Sequence, residues 1–361
     1  MTKSKQRIIG IDVARALAIF GMILVNFKVV FGEEGPTWIK SLASVFDGKA
    51  AATFVVLAGV GLALMTNSAL FQKDKAKLKV VRIKIAKRAL FLFILGLSYV
   101  SIWPADILHF YGVYMAIIIL FLSYQEKTIL ILAVSLIIAF PILMTFINYE
   151  TAWDFQTLDY QGLWTFEGFL RNLFFNGFHP VIPWTAFMLF GYWFGKQDLH
   201  NDSFLKKTFW ISTTSFVSIQ VLSSLFISIS AAGNPQNILA LTELFGTNPM
   251  PPLPIYMLNG TAFSLALISA CILVAKRFEK NIIIDALNKT GQLALTFYVA
   301  HVIIGMGVIE LLNPSKMGNY SIAFSVGYAI VFSLLCILFA VIWTKYKKAG
   351  PLEWVLRKIT G

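Results

Sequence analysis

The chain has 361 residues, is 58% hydrophobic and only 13% charged, and has a mean hydropathy of +0.74. A soluble domain is roughly 45–50% apolar and about 25% charged, so a water-soluble globule is excluded and a polytopic membrane protein is expected. The net charge of +12 fits membrane topology and anionic headgroups; nucleic-acid binding would need a basic soluble domain, and none is present.

Ten spans are predicted, at 8–31, 49–67, 88–103, 106–123, 128–148, 181–197, 207–230, 255–275, 290–311 and 320–343. Each is near the roughly 20 residues that cross about 30 Å of hydrocarbon. The expected fold is an all-α polytopic membrane protein: one bundle of about ten transmembrane helices, forming a single domain over 1–361. With a cytoplasmic N-terminus, Lys3, Lys5 and Arg7, the cluster from Lys73 to Arg88, Lys127, Lys196, Lys206, Lys207, the group from Lys276 to Lys289 and the basic C-terminal residues all fall inside. Only Lys28, Lys40, Lys49, Arg171 and Lys316 fall at or near the outside, and Arg15 lies within the first span. This obeys the positive-inside rule and puts both termini in the cytoplasm.

Span one reads IIGIDVARALAIFGMILVNF. Its length and charges argue against a cleaved signal. Asp12 and Arg15 lie three apart on one face, either as an ion pair locking the span to a neighbour or as a contact to a cytoplasmic cofactor. Asn26, further along, hydrogen-bonds a neighbouring helix or donates to a developing oxyanion. Asp47 and Lys49 open span two, where Asp47 is placed to cap the helix. The small residues Ala50, Ala51, Ala52, Ala58, Gly59 and Gly61 suit close helix approach or a slender ligand.

The stretch QKDKAKLKVVRIKIAKR, from Gln72 to Arg88, interleaves basic and apolar residues. It reads as an interfacial helix, or as a site for a polyanion such as a nucleotide phosphate. Span four begins WPADILHFYGV. Asp106 beside His109 at i, i+3 fixes the imidazole tautomer and raises its basicity, the arrangement of a general base; a helix cap plus a satisfied histidine is the plainer alternative. The aromatic outer loop 149–180 offers interface anchors or a lid for a sugar-like acceptor, with an amphipathic helix over 164–177.

His179, beside Pro180 and Pro183, is expected to face water. The stretch NPMPPLP in the outer loop 231–254 cannot be helical throughout. His301, near the middle of span nine, must have a partner. His200 lies in a cytoplasmic loop. Cys271 and Cys336 sit inside spans as apolar fillers, and the four histidines lack metal-ligand spacing, so neither a disulfide nor a metal is expected. No internal repeat of the transporter kind is found.

The phrases IDVARALAIFGMILVNF, DILHFYGV, VIPWTAFMLFGYWFG, GQLALTFYVAH and GPLEWVLRKITG, in that order, resemble the YeiB-like family of bacterial membrane proteins, grouped with transmembrane acyltransferases. The resemblance runs from about residue 8 to the C-terminus. A more distant similarity runs to heparan-alpha-glucosaminide N-acetyltransferase. It implies a multi-pass protein of the bacterial cytoplasmic (inner) membrane that takes an acyl group from cytoplasmic acyl-CoA, acetyl-CoA being expected, and delivers it to an acceptor on the far side. It also matches Asn26 to an active-site asparagine, Asp47 to an acidic residue and His301 to a late-span histidine. Two positions depart from the pattern. The interval 27–46 has no histidine where that enzyme carries its catalytic one, and Ala16 replaces the glycine that follows the span-one arginine. Another group must then act as base, His109 first and His301 second.

Two function classes follow. An acyltransferase would dock acyl-CoA phosphates among Arg82, Lys84, Lys87 and Arg88, with Arg15 and Asp12 as further contacts. His109, oriented by Asp106, would deprotonate a hydroxyl or amine of a cell-surface glycan, lipid or small metabolite, while Asn26 holds the oxyanion; direct transfer and an acyl-histidine intermediate are both open. A transporter or flippase for a lipid-linked or anionic metabolite would use the same Asp, Arg and His as a substrate or proton path. Homo-oligomerisation is left open.

Overall fold

Hydrocarbon offers a spanning backbone no water to bond, so each apolar run must close its own hydrogen bonds as a helix. The computed structural model describes residues 7–155 and 157–361; Lys3 and Lys5 of the expected inner N-terminus lie outside the described residues. In chain order the helices are α1 (Ile9–Phe31), α2 (Thr37–Ser44), α3 (Lys49–Phe71), α4 (Lys75–Tyr99), α5 (Leu108–Phe121), α6 (Glu126–Met144), α7 (Phe166–Arg171), α8 (Val181–Lys196), α9 (Asp202–Ser230), α10 (Pro235–Phe245), α11 (Pro254–Arg277), α12 (Ile282–Gly291), α13 (Ala294–Ala300), α14 (Gly307–Leu312), α15 (Ile322–Tyr346) and α16 (Pro351–Thr360). A two-residue ribbon pairs Trp153–Asp154 antiparallel with Asp159–Tyr160.

The fold is all-α, and every expected span falls on helix. Among the described residues, seven helices are long and apolar enough to cross a membrane, or eight if Phe166–Asn176 and Val181–Lys196, bent by 46°, form one span. The difference from ten lies mainly in α4 and α5. The first half of α4 is rich in Lys and Arg, and α5 has only 14 residues. Nor is the basic stretch a separate surface helix. Asp74 caps α4 by accepting from Lys77 N at 2.9 Å, and the helix then runs unbroken to Tyr99. Rows of exposed apolar residues at helical spacing follow, such as Ile131, Val134, Ile138 and Ile142 on α6 and Val331, Leu334, Leu338 and Ile342 on α15. Water would not tolerate so much apolar surface; lipid covers it.

The chain groups into two compact units. Unit 1 comprises residues 7–54, 199–211 and 264–358. Its centre is α1, which packs on α12, α13 and α15. A methyl group at Gly291 would strike the Asp12 carbonyl, and one at Gly10 the Ile272 backbone, so these helices meet almost backbone to backbone. The rings of Phe27 and Phe31 lie against Tyr328 on α15 at 5.2 and 5.5 Å.

Unit 2 comprises residues 55–198 and 212–263, with 359–361. On α4 the buried stripe Ile85, Ala89, Leu92, Gly96 and Tyr99 repeats every three or four residues, and α5 packs against this helix. The expected small-residue approach occurs at Gly59 of α3, which faces the backbone of α8 near Met188 and Gly191. The loop 149–180 is firmly tied. Asn176 donates to the carbonyls of Tyr149 and Thr151, both at 2.8 Å, and accepts from the Tyr160 hydroxyl at 2.8 Å. As expected, a helix occupies most of 164–177, ending in a π-helical turn over Asn172–Asn176, and residues 248–253 are non-helical.

Candidate functional site

In unit 2 the polar centre is built on the α4–α5 pair. Asp106 ends the connection between them and is fully buried. Its Oδ1 accepts from the Tyr99 hydroxyl at 2.6 Å; its Oδ2 accepts from His109 N at 3.1 Å and sits 2.9 Å from His109 Nδ1. Donation from Nδ1–H to the carboxylate places the imidazole lone pair on Nε2, a tautomer assigned from the hydrogen bonding. The backbone must come this close for a reason visible on α4: a methyl at Gly96 would collide with the Asp106 carboxylate and the His109 backbone. The Asp106–His109 spacing is legible in the sequence, but Tyr99 and Gly96 are not, because they reach the dyad from α4.

His179 departs from expectation. It does not simply face water: Nδ1 is enclosed with no hydrogen-bond partner, and the ring lies 4.6 Å from Trp184 and 6.0 Å from Phe110. The Phe110 ring also lies 4.0 Å from that of His109, tilted by 37°. The His179 carbonyl accepts from the Tyr114 hydroxyl. Trp184 Nε1 is likewise buried without a partner.

The basic residues begin the same α4. Arg82 donates to Ser123 Oγ at 3.2 Å, and Arg88 contacts Met65 Sδ at 3.2 Å. Lys84 is partly buried and Lys87 is exposed.

Unit 1 holds the other candidates. Asn26 Nδ2 lies 2.9 Å from His301 Nε2, and His301 Nδ1 meets the Tyr298 carbonyl. The carbonyl requires Nδ1–H, so Nε2 accepts from the Asn26 amide and both ring nitrogens are engaged. His301 opens a π-helical turn, His301–Met306, between α13 and α14; such turns occur often at functional sites. The partner demanded for His301 is thus Asn26, 275 residues away in sequence.

Asp47 is not the cap that its position suggested. Both its carboxylate oxygens accept from Lys28, at 2.9 and 2.8 Å, and Lys28 is 2% exposed. At the base of α1 the expected Asp12–Arg15 pair forms at 2.6 Å, and Arg7 adds a second contact at 2.7 Å. The buried Asp12 is therefore neutralised by Arg15 of its own helix and by Arg7, two residues before that helix, not by a neighbouring span. A cleft beside it is lined by Arg7, Gly10, His200, Lys276 and Glu279.

A family model described as heparan-alpha-glucosaminide N-acetyltransferase, catalytic, matches residues 7–229, and one described as a protein of unknown function (DUF418) matches residues 191–361. An uncharacterized protein of Bacillus subtilis (strain 168), YxaH, is 22% identical over 412 aligned positions, covering 99% of this chain and 95% of its own. No solved structure matches.

Proposed function

We infer the activity from one premise: the chain belongs to the heparan-alpha-glucosaminide N-acetyltransferase catalytic family, as a YeiB-like protein. It is an acyltransferase of the membrane. Its donor is cytoplasmic acyl-CoA, acetyl-CoA first, and its acceptor is a hydroxyl or amine at the outer face. The family's name specifies N-acetylation of a glucosaminide, so an amino sugar is the first acceptor to test. The setting is a bacterial inner membrane with both termini in the cytoplasm.

The observation that carries this reading is the Asp106–His109 dyad at 2.9 Å, inside the matched 7–229. His109 Nε2 takes the proton from the acceptor as its oxygen or nitrogen attacks the thioester carbonyl. The tetrahedral intermediate collapses, the C–S bond breaks, and the imidazolium returns the proton to the departing thiolate. Asp106 stabilises the imidazolium and keeps the ring in its working tautomer.

The donor end is supported by the same helix. Arg82, Lys84, Lys87 and Arg88 supply cations for the phosphates. At about 1.5 Å per residue, Arg88 and Tyr99 stand roughly 17 Å apart along α4, a length suited to the extended arm between a nucleotide and its thioester. Asn26 and His301 fit the base role less well, because each already satisfies the other.

The test is release of free thiol from acetyl-CoA by the purified protein in detergent, with glucosamine as acceptor. His109→Gln and Asp106→Asn are each expected to lower turnover by about 10²–10⁴-fold. Unchanged turnover in His109→Gln would remove the dyad from the mechanism. Ion-driven flux in liposomes with no thiol release from any acyl-CoA would replace the enzyme with a carrier.

A further inference from the structure

Unit 1 buries a cation that has no acid of its own. Lys49 opens α3, is 4% exposed, and reaches the Asp47 backbone carbonyl at 3.4 Å, a long contact. The Asp47 carboxylate is committed to Lys28 through both oxygens. Glu33 lies 3.9 Å from Lys28 and is half exposed. Among the described residues no carboxylate comes within 4.0 Å of Lys49 Nζ. Lys28 therefore holds the Asp47 carboxylate, with Glu33 as a looser second partner, while Lys49 is left with the Asp47 backbone carbonyl.

A protein in hydrocarbon does not hold a buried ammonium cheaply when no carboxylate is close to it; such a group needs a counter-ion. The cluster is also reachable, because the Asp47 side chain is one-third exposed. Buried polar groups continue one turn along α3, where Thr53 Oγ1 stands 3.0 Å from Ser264 Oγ.

We propose that Lys49 and Asp47, with Lys28 behind them, form a binding site for the single carboxylate of a ligand, which pairs with the Lys49 ammonium. Charge sets the class. One negative charge pairs the Lys49 ammonium, whereas a dianion such as a phosphate monoester would bring a second charge against Asp47 and Glu33 as like charges. The site stands on unit 1 alone, so it holds whether or not His109 performs acyl transfer. A carboxylate can come from a water-soluble acid or from a fatty acid in the bilayer, and the test separates the two.

Thermal midpoints of the full-length protein in detergent are followed while glucuronate is titrated against its neutral amide, glucuronamide, and laurate against lauramide. One of the two acids is expected to raise the midpoint saturably, with an apparent affinity about tenfold or more above that of its amide. The effect is expected to vanish in Lys49→Met and to persist in Lys49→Arg. A glucuronate response assigns a soluble acid, a laurate response a membrane-borne one. Lys49→Met removes an unpaired charge, so it should fold and melt no lower than the unmodified chain. Equal responses to acid and amide, a response that survives in Lys49→Met, or no response to either acid overturns the proposal.

Discussion

A single missing methyl group makes the unit 2 dyad possible. Gly96 lies where any side chain would press on the Asp106 carboxylate and the His109 backbone. Gly96→Ala must push α5 off α4, at an overpacking cost of about 1–3 kcal/mol. Displacing the base by about 1 Å lowers turnover by roughly 10²-fold, while acetyl-CoA binding at the far end of α4 should be preserved. Steady-state thiol release checks both. Gly327→Ala is the control, since a methyl there meets nothing within 4 Å; wild-type turnover in Gly96→Ala would show that the close approach has no catalytic consequence. At this scale the sequence reveals pairs within one helical turn. Asp106 with His109 and Asp12 with Arg15 can be read from i, i+3 spacing. Asn26 with His301, and Lys28 with Asp47, cannot, because their partners come from another helix and from the α2–α3 turn, 275 and 19 residues away.

Elements follow from composition where the apolar run is unbroken, which is why each of the ten expected spans overlaps a helix. The joins are less legible. Nothing in GQLALTFYVAH announces that the helix widens into a π turn at His301, since that change adds no proline or glycine at the join. Nor does the tail disclose its role. Glu353 of α16 accepts from the backbone N–H groups of Leu295 and Thr296, at 2.8 and 3.1 Å, and from the Thr296 hydroxyl at 2.6 Å; that hydroxyl in turn accepts from Leu352 N at 3.1 Å. Two helix starts cap each other, and α13 leads straight into His301. Losing the acceptor in Glu353→Ala should cost about 0.5–2 kcal/mol, read as a lower thermal midpoint in detergent. Burial, chiefly, lifts the Glu353 carboxyl above its ordinary value of 4.5, against the pull of its hydrogen bonds. With the folded value raised, the stability linked to this proton is full below the ordinary value and is lost as pH rises through the folded one. Glu353→Gln should flatten that part of the midpoint-versus-pH curve; an identical slope would remove Glu353 as its source.

For the whole molecule, parity of crossings is the quantity that matters. Seven crossings would put the termini on opposite faces, whereas eight or ten put them on the same face. The distribution of Lys and Arg favours an even number, because the Lys73–Arg88 cluster and the C-terminal Lys345, Lys347 and Lys348 then share one side with Arg7. Length and composition undercount any crossing helix that carries its charges at one end, and the charges of α4 lie in its first half. The native cysteines Cys271 and Cys336 are free and buried, so single introduced cysteines report cleanly. We expect Thr157→Cys to react with a membrane-impermeant maleimide in intact cells, and Gln72→Cys and Lys348→Cys to react only after permeabilisation; all three positions are exposed in the structure. Labelling of Lys348→Cys from outside would make the count odd. It would also place the α16 tail, and the α13 start it caps, on the face opposite the basic end of α4, so a donor entering at Arg82 and Arg88 would come from the other side of the membrane to that tail.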